Sequence, residues 1–417
     1  MDKAPAAPYT DPMTGPPPVR LFDRTTPPHI MTLVFMAGLS ALSMNVFLPS
    51  LPTMAAWFGT EYAVMQLALS LYLAVTAVLQ LFVGPISDRY GRRPVLLVTI
   101  AAFLVFTLGT LVAPTVELFL VCRMGQALVV TGMVLSRAIV RDMVDEAQAA
   151  SMIGYVTMGM ALVPMVGPAL GGWLEEAFGW QASFWLMFVC GFGVLALIWA
   201  DSGETARTRS TSLAAQVRGY PALLRARRFW GYCAVAAFTS GTFFAYLGGM
   251  PFVGSIVYGV TPTELGLYFA PTAIGYALGN FISGRFAVRV GVIAMIRAGS
   301  LLTLGGLVVQ SLMMALTDMP VWLFFTMFAF LGLGNGMVLP SANAGMLSVR
   351  PELAGTASGL GGAIMIGGGA ALSALTGALL TEQTGPWPLM AVMAVSAVLS
   401  VLAISYVARR QREVSGG

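Results

Sequence analysis

Charge is what this sequence has least of. Asp, Glu, Lys and Arg make up 10% of its 417 residues, against roughly 25% in a chain that must solvate its own surface. Hydrophobic residues make up 57%, and the mean hydropathy is +0.82. An ordinary water-soluble domain is excluded, and lipid is the implied solvent. Histidine is nearly missing too: His29, the single one, stands at the mouth of the first apolar run and offers no metal or acid–base constellation. The three cysteines, Cys122, Cys190 and Cys233, are odd in number and lie inside apolar runs. They imply small buried hydrophobes, not a disulfide framework. No Asp or Glu falls at the middle of an apolar run, so no pair of titratable groups shares a pocket and no enzyme is expected.

What the chain has is apolar length. Twelve runs, at about 30–52, 63–84, 94–113, 117–138, 150–173, 181–200, 229–250, 264–285, 292–316, 320–341, 355–380 and 386–408, each approach the roughly 20 residues a helix needs to cross a bilayer. Residues 1–28 hold eight prolines and no periodic apolar face, which predicts a disordered tail and not a signal peptide. The longest polar stretch after it, 201–228, carries Arg207, Arg209, Arg218, Arg225, Arg227 and Arg228. It divides the chain into a 29–200 half and a 229–408 half, followed by a tail at 409–417. The expected fold is an all-α membrane protein of twelve transmembrane helices in two pseudo-symmetric six-helix bundles. The lipid bilayer is its medium, and one chain suffices as the unit.

The sparse charges are sorted by side. With the amino terminus inside, every Lys and Arg except Arg123 falls on cytoplasmic segments. The opposite loops hold Glu61, Glu117, Glu175, Glu176, Glu264, Asp318 and Glu382, and no base. Positive charge is retained on the cytoplasmic side of a membrane, so both termini are placed there, and the basic pI near 9.1 reflects topology and not nucleic acid. The halves also repeat. Gly84, Arg89 and Gly91 recur as Gly284, Arg289 and Gly291; Leu71-Tyr72 recurs as Leu267-Tyr268, Gly132 as Gly336 and Gly167 as Gly367, with offsets from 196 to 204. Parallel repeats of this kind place a substrate site between the halves, near the bilayer midplane.

The turn from Gly84 to Arg93, Gly-Pro-Ile-Ser-Asp-Arg-Tyr-Gly-Arg-Arg, is similar to the loop signature of the major facilitator superfamily. Arg123 with Gln126 and Gly132 resembles the fourth-span arginine motif of its proton-linked members. Gly167-Pro168 with Gly171-Gly172 resembles the antiporter motif of its drug exporters. Asn45 to Pro52, with Arg141-Asp142, resembles the bicyclomycin and chloramphenicol resistance branch. The likeness covers residues 30–408. It implies a drug:proton antiporter of the bacterial inner membrane, taking a small-molecule substrate, needing no cofactor and driven by the proton gradient. It also implies a gate in which Asp88, within the Gly84, Arg89, Gly91 and Arg92 turn, meets cations near the fourth span and the start of the eleventh. Arg137 and Arg141 are the available cations, and the helix start favours an anion.

Arg123 is the one charge well inside the membrane, where an unpaired guanidinium is expensive. It faces either the cavity, sharing a helix face with Gln126, or snorkels outward to Glu117. Candidate substrate-binding residues are the polar and aromatic groups at mid-depth: Asn45, Tyr72, Gln80, Arg123, Gln126, Tyr246, Asn280, Asn335 and Asn343. Phe47, Phe243, Phe244 and the methionines would form an adaptable apolar wall. Gly167, Pro168 and Gly171 on the fifth span would allow close, kinked packing against the eighth.

One position departs from the family pattern. Where the resistance branch usually carries a protonatable aspartate, this chain has Asn45, which cannot titrate. The proton would then pass through a carboxylate nearer the surface, such as Glu61 or Glu117, or through the substrate itself, or the protein would be uncoupled. Two transport readings follow: an exporter of small amphiphilic compounds, or a carrier for an anionic or zwitterionic metabolite held by Arg123. A non-transporting sensor would need a larger soluble segment than 201–228.

Overall fold

The computed structural model describes residues 19–144, 146–206, 221–350 and 353–415. Residues 1–18 of the expected tail, 207–220 of the expected linker and the last two residues lie outside the described residues. Twelve long helices follow one another in the order expected. They are α1 (Ile30–Trp57), α2 (Tyr62–Tyr90), α3 (Arg92–Val112), α4 (Val116–Met143), α5 (Glu146–Phe178) and α6 (Gln181–Asp201). The second half holds α7 (Arg227–Val257), α8 (Pro262–Val290), α9 (Val292–Leu316), α10 (Val321–Ser348), α11 (Ala354–Leu379) and α12 (Trp387–Ser415). Among the described residues, eleven of these are long and apolar enough to cross a membrane; α5 is the twelfth long helix, of 33 residues.

Several helices change winding where their sequence requires it. In α1, Pro49 and Pro52 lack the backbone donors that continue a helix, and residues 48–50 tighten into a 3-10 turn. In α7, Pro251 precedes a single π turn at Val253–Val257. Large exposed side chains such as Val98, Val105, Phe192, Phe281 and Leu402 cover the outer helix faces, as expected of surfaces solvated by lipid.

The duplication is visible in the backbone. Gly91, between α2 and α3, has φ +99 and ψ 149; Gly291, between α8 and α9, has φ +91 and ψ 147. Only glycine enters that region without strain, so the same sharp turn is made in the same way 200 positions apart.

The boundaries differ from expectation at both tails. Residues 19–28 pack across the end of α6. Asp201 accepts hydrogen bonds from Phe22 N (2.8 Å), His29 N (2.8 Å) and Thr32 Oγ1 (2.6 Å), and the Arg24 guanidinium stacks 3.4 Å from the Trp199 ring. Within that segment Thr25 donates to Asp23 through both hydroxyl and amide, holding its carboxyl below the usual range. At the other end α12 continues through Arg409, Arg410 and Arg412 to Ser415, because nothing in those residues breaks a helix.

Candidate functional site

The loops carrying Glu61, Glu117, Glu264, Asp318 and Glu382 mark one end of the molecule, the acidic end; the Gly91 and Gly291 turns mark the basic end. At the acidic end the bundles are joined. Tyr62 Oη on α2 donates to Gly248 O on α7 (2.6 Å), and Gln66 Nε2 donates to Ser373 O on α11 (2.7 Å). The rings of Tyr62 and Phe252 lie 5.1 Å apart. Thr263 on α8 donates to Glu176 on α5.

Between α5 and α8 the backbones themselves approach. A Cβ on Gly172 would lie 2.0 Å from Pro262 O, and one on Gly266 would lie 2.3 Å from Pro168 O. One helical turn face away, Gly171 meets Val46 O of α1, where a Cβ would lie 1.7 Å off. The glycines of α5 therefore serve two contacts, one inside the amino-terminal bundle and one across to the other.

Toward the basic end the seam opens. Gln80 still reaches Gly362 of α11, where a Cβ would lie 2.8 Å from its Oε1. Beyond that, Gly84, Gly154, Gly284 and Gly355 have no heavy atom of the described residues within 4 Å of a Cβ position. Arg137 and Arg141 are exposed there. They follow Arg123 by fourteen and eighteen residues, close to whole numbers of helical turns, so all three lie on roughly one face of α4.

Arg123 itself is buried with 0% exposure. Its Nε donates to Ala68 O (3.2 Å), Nη1 to Gln126 Oε1 (2.7 Å) and Ser43 Oγ (3.2 Å), and Nη2 to Ser43 O (2.6 Å). The Phe47 and Tyr72 rings sandwich the guanidinium at 4.3 and 4.2 Å, a cation–π arrangement that is strongest when desolvated. Gln126 passes the network on, donating to Thr107 Oγ1 (2.9 Å). The structure thus unites Tyr72, Arg123 and Gln126 as expected, but inside the amino-terminal bundle. Neither of the two anticipated orientations of Arg123, toward an open cavity or outward to Glu117, describes it.

The other candidates are dispersed. Asn45 is buried between α1 and α5, donating to Ala41 O (2.7 Å) with Oδ1 lacking a partner. Tyr246 is buried in an aromatic cluster with Phe269 and Phe328 and accepts from Thr272 Oγ1. Asn335 is buried inside the carboxy-terminal bundle beside a cavity with room for about one water. Gln80 and Asn280 are half-buried along the parted seam, and Asn343 is exposed at the basic end of α10. Asn280 donates to Tyr276 O (2.8 Å), and the Tyr276 ring stacks on Phe243 with centroids 6.4 Å apart.

At the basic end, the cation shown on Asp88 is Arg92, at 2.6 Å, and Arg92 Nε also reaches Asp142 Oδ2 at 3.1 Å. Arg137 and Arg141 were the cations expected from the sequence. Glu204 completes the turn, accepting from Arg92 N (2.9 Å) and Arg93 N (3.3 Å), two of the free amides at the start of α3. Arg89 is exposed, its guanidinium 5.4 Å from the Tyr90 ring. Sequence reasoning missed Gln66, Ser43, Thr107, Asp201 and Glu204. Gln66 could have been found, as an amide in an apolar run like Gln80; the partners of Glu204 and Asp201 are set by loop paths that no periodicity reveals.

Two like bundles of membrane-crossing helices, joined across one end of a shared seam and parted at the other, define a membrane transport protein. The chain belongs to the Major Facilitator Superfamily, whose model matches residues 33–374 and 258–416. It is 27% identical to a bicyclomycin resistance protein homolog of Haemophilus influenzae, across 93% of this chain and 98% of that one. It is 29% identical to a chloramphenicol resistance protein of Pseudomonas aeruginosa, across 89% and 88%. Among solved structures, a bacterial homolog of the human lysosomal transporter Spinster, in an inward-facing and occupied conformation, superposes with a TM-score of 0.69. Its identity is 17%, over 92% of this chain and 96% of that chain. The resemblance to the bicyclomycin and chloramphenicol resistance branch read from the motifs is upheld by these relatives.

Proposed function

We propose that the protein exports small, neutral, amphiphilic compounds from the bacterial cytoplasm across the inner membrane by alternating access, in exchange for protons. The observation that carries this reading is the asymmetric seam: glycine-close contact between α5 and α8 and hydrogen bonds from Tyr62 and Gln66 at the acidic end, with separation past Gln80 at the basic end. The positive-inside rule makes the basic end cytoplasmic, so this form would receive substrate from the cell interior. Drug-resistance relatives supply the substrate class. The walls fit it: Phe243, Tyr276 and Gln80 border the seam, while no carboxylate stands at mid-depth to balance a cationic drug.

The metabolite-carrier reading loses its anchor, since every nitrogen of Arg123 already donates to protein acceptors. The test is expression in a pump-deficient bacterial host, with resistance to phenicols and bicyclomycin measured, followed by transport in vesicles under an imposed pH gradient. Raised resistance and gradient-driven transport are expected. Unchanged resistance would remove the drug-export reading, and transport indifferent to the gradient would remove the proton.

A further inference from the structure

With Asn45 unable to titrate, any proton must bind elsewhere, and Glu61 and Glu117 are exposed at all times in this form. Glu175 is different. It lies near the acidic end of α5, is 7% exposed, and its Oε2 is buried without a hydrogen-bond partner. It follows Gly171 by four residues and so shares the face of α5 that meets α1. Its near neighbours there are the hydroxyls of Ser50 and Thr53. Ser50 belongs to the proline-tightened turn of α1, is fully buried, and its own Oγ has no partner.

Among the described residues, no cation faces Glu175. On its own helix the neighbouring acid is Glu176, engaged by Thr263. From α8 come Glu264, tied into its own capping box with Thr261, and the half-buried Tyr268, stacked on Phe325. From α4 come exposed Glu117 and Arg123, whose donors are engaged. On α1 and α6 the ionisable groups are His29 and Asp201, both at the basic end, and Cys190. Buried rings stand at this end as well: Phe119, Trp180 and Phe184 form one cluster, with the half-buried Phe58 and the exposed Trp57 at its edge. A carboxylate buried with only hydroxyls beside it and one oxygen unpartnered is costly in its charged form.

The turn holding Ser50 packs on α5 and also on α7 and α8 of the other bundle. Parting the acidic end would therefore admit water to Glu175, and closing it would strip that water away. We propose that Glu175 is the proton-binding site that governs this closure: the acidic end closes with the carboxyl protonated and opens when it ionises. The idea rests on the alternating-access reading above and adds to it a proton-controlled gate at the acidic end, loaded from that side and discharged to it.

The test is a spin-label distance across the acidic end, between Glu117→Cys and Asp318→Cys, in vesicles of the full chain with Cys122, Cys190 and Cys233 replaced. For the wild-type carboxyl, the distance should be short at low pH and lengthen as pH rises. In Glu175→Gln, which mimics the protonated group, it should stay short at every pH; Glu175→Asp should restore a response with a shifted midpoint. A pH response that survives in Glu175→Gln overturns the proposal. So does a wild-type distance that ignores pH, which decides the matter even where the Gln variant fails to fold. If the switch depends on Glu175 while vesicles move no drug against a pH gradient, the exporter reading fails and the proton site stands. If gradient-driven export persists unchanged in Glu175→Gln, the converse holds.

Discussion

The two bundles come from one duplicated unit, yet their polar interiors are built on different chemistry. In the amino-terminal bundle a charge sits at the centre. Arg123 is satisfied by Ser43, Ala68 and Gln126, with Phe47 and Tyr72 on its faces. On α10, the helix of the carboxy-terminal bundle that matches α4, there is no charged residue. Thr239, Ser300, Thr303, Asn335 and Ser400 surround a cavity of about one water, and both side-chain polar atoms of Asn335 and the hydroxyl of Thr303 lack protein partners. A guanidinium whose donors are taken by its own bundle acts as a brace, not as a receptor. What the transporter recognises must then be read along the seam between the bundles.

That contrast can be broken by mutation. Arg123→Ala strands the acceptors Ser43 O and Gln126 Oε1, at about 1–3 kcal/mol each, and opens a void between two aromatic rings. It should show the largest loss, a fall in melting temperature of the purified protein as well as loss of transport. Arg123→Lys should recover part of it, because charge returns without the planar fork. A variant that melts like the wild type would return Arg123 to the substrate site.

Gly172→Ala should come next. A methyl group 2.0 Å from Pro262 O costs about 1–3 kcal/mol in overpacking, borne by the closed acidic end alone. Transport should fall while the melting temperature changes little. Gln66→Leu removes the α2–α11 bond to Ser373, roughly 0.5–1.5 kcal/mol. It should shift the bundle equilibrium several-fold toward the open acidic end, read as faster thiol labelling there. Asn335→Leu should change least: an amide with no protein partner is replaced by a side chain of similar size, which is close to neutral. A loss of stability as large as that of Arg123→Ala would mean that the carboxy-terminal cavity is a structured site.

Much of the fold was legible because lipid simplifies the problem. Runs of spanning length and the repeat of Gly91 at Gly291 each have one physical reading, and twelve helices in two halves followed. The candidate site was legible in part. The pairing of Arg123 with Gln126 on one helix face could be read, since a buried guanidinium must find acceptors, and Tyr72 joins them in the structure. Which way that group faced was not, because helix periodicity gives a face but does not say which neighbour covers it. Asn335 and Asn343 illustrate this: both are amides on α10, one enclosed and one exposed. The Asp88–Arg92–Asp142 arrangement depends on how α2, α3 and α4 meet at their ends, information absent from any single helix.

The claim beneath the whole account is that the two ends of the seam open in alternation. Single cysteines at Ser70, buried one turn from Gln66 on the same face of α2, and at Arg137 in a cysteine-free chain, labelled by a membrane-impermeant thiol reagent from each side of oriented vesicles, test it most directly. The account predicts reciprocity: Arg137→Cys reacts from the cytoplasmic side while Ser70→Cys is protected, and drug with an opposing pH gradient reverses the two. Both sites reactive together, or neither changing, would contradict it.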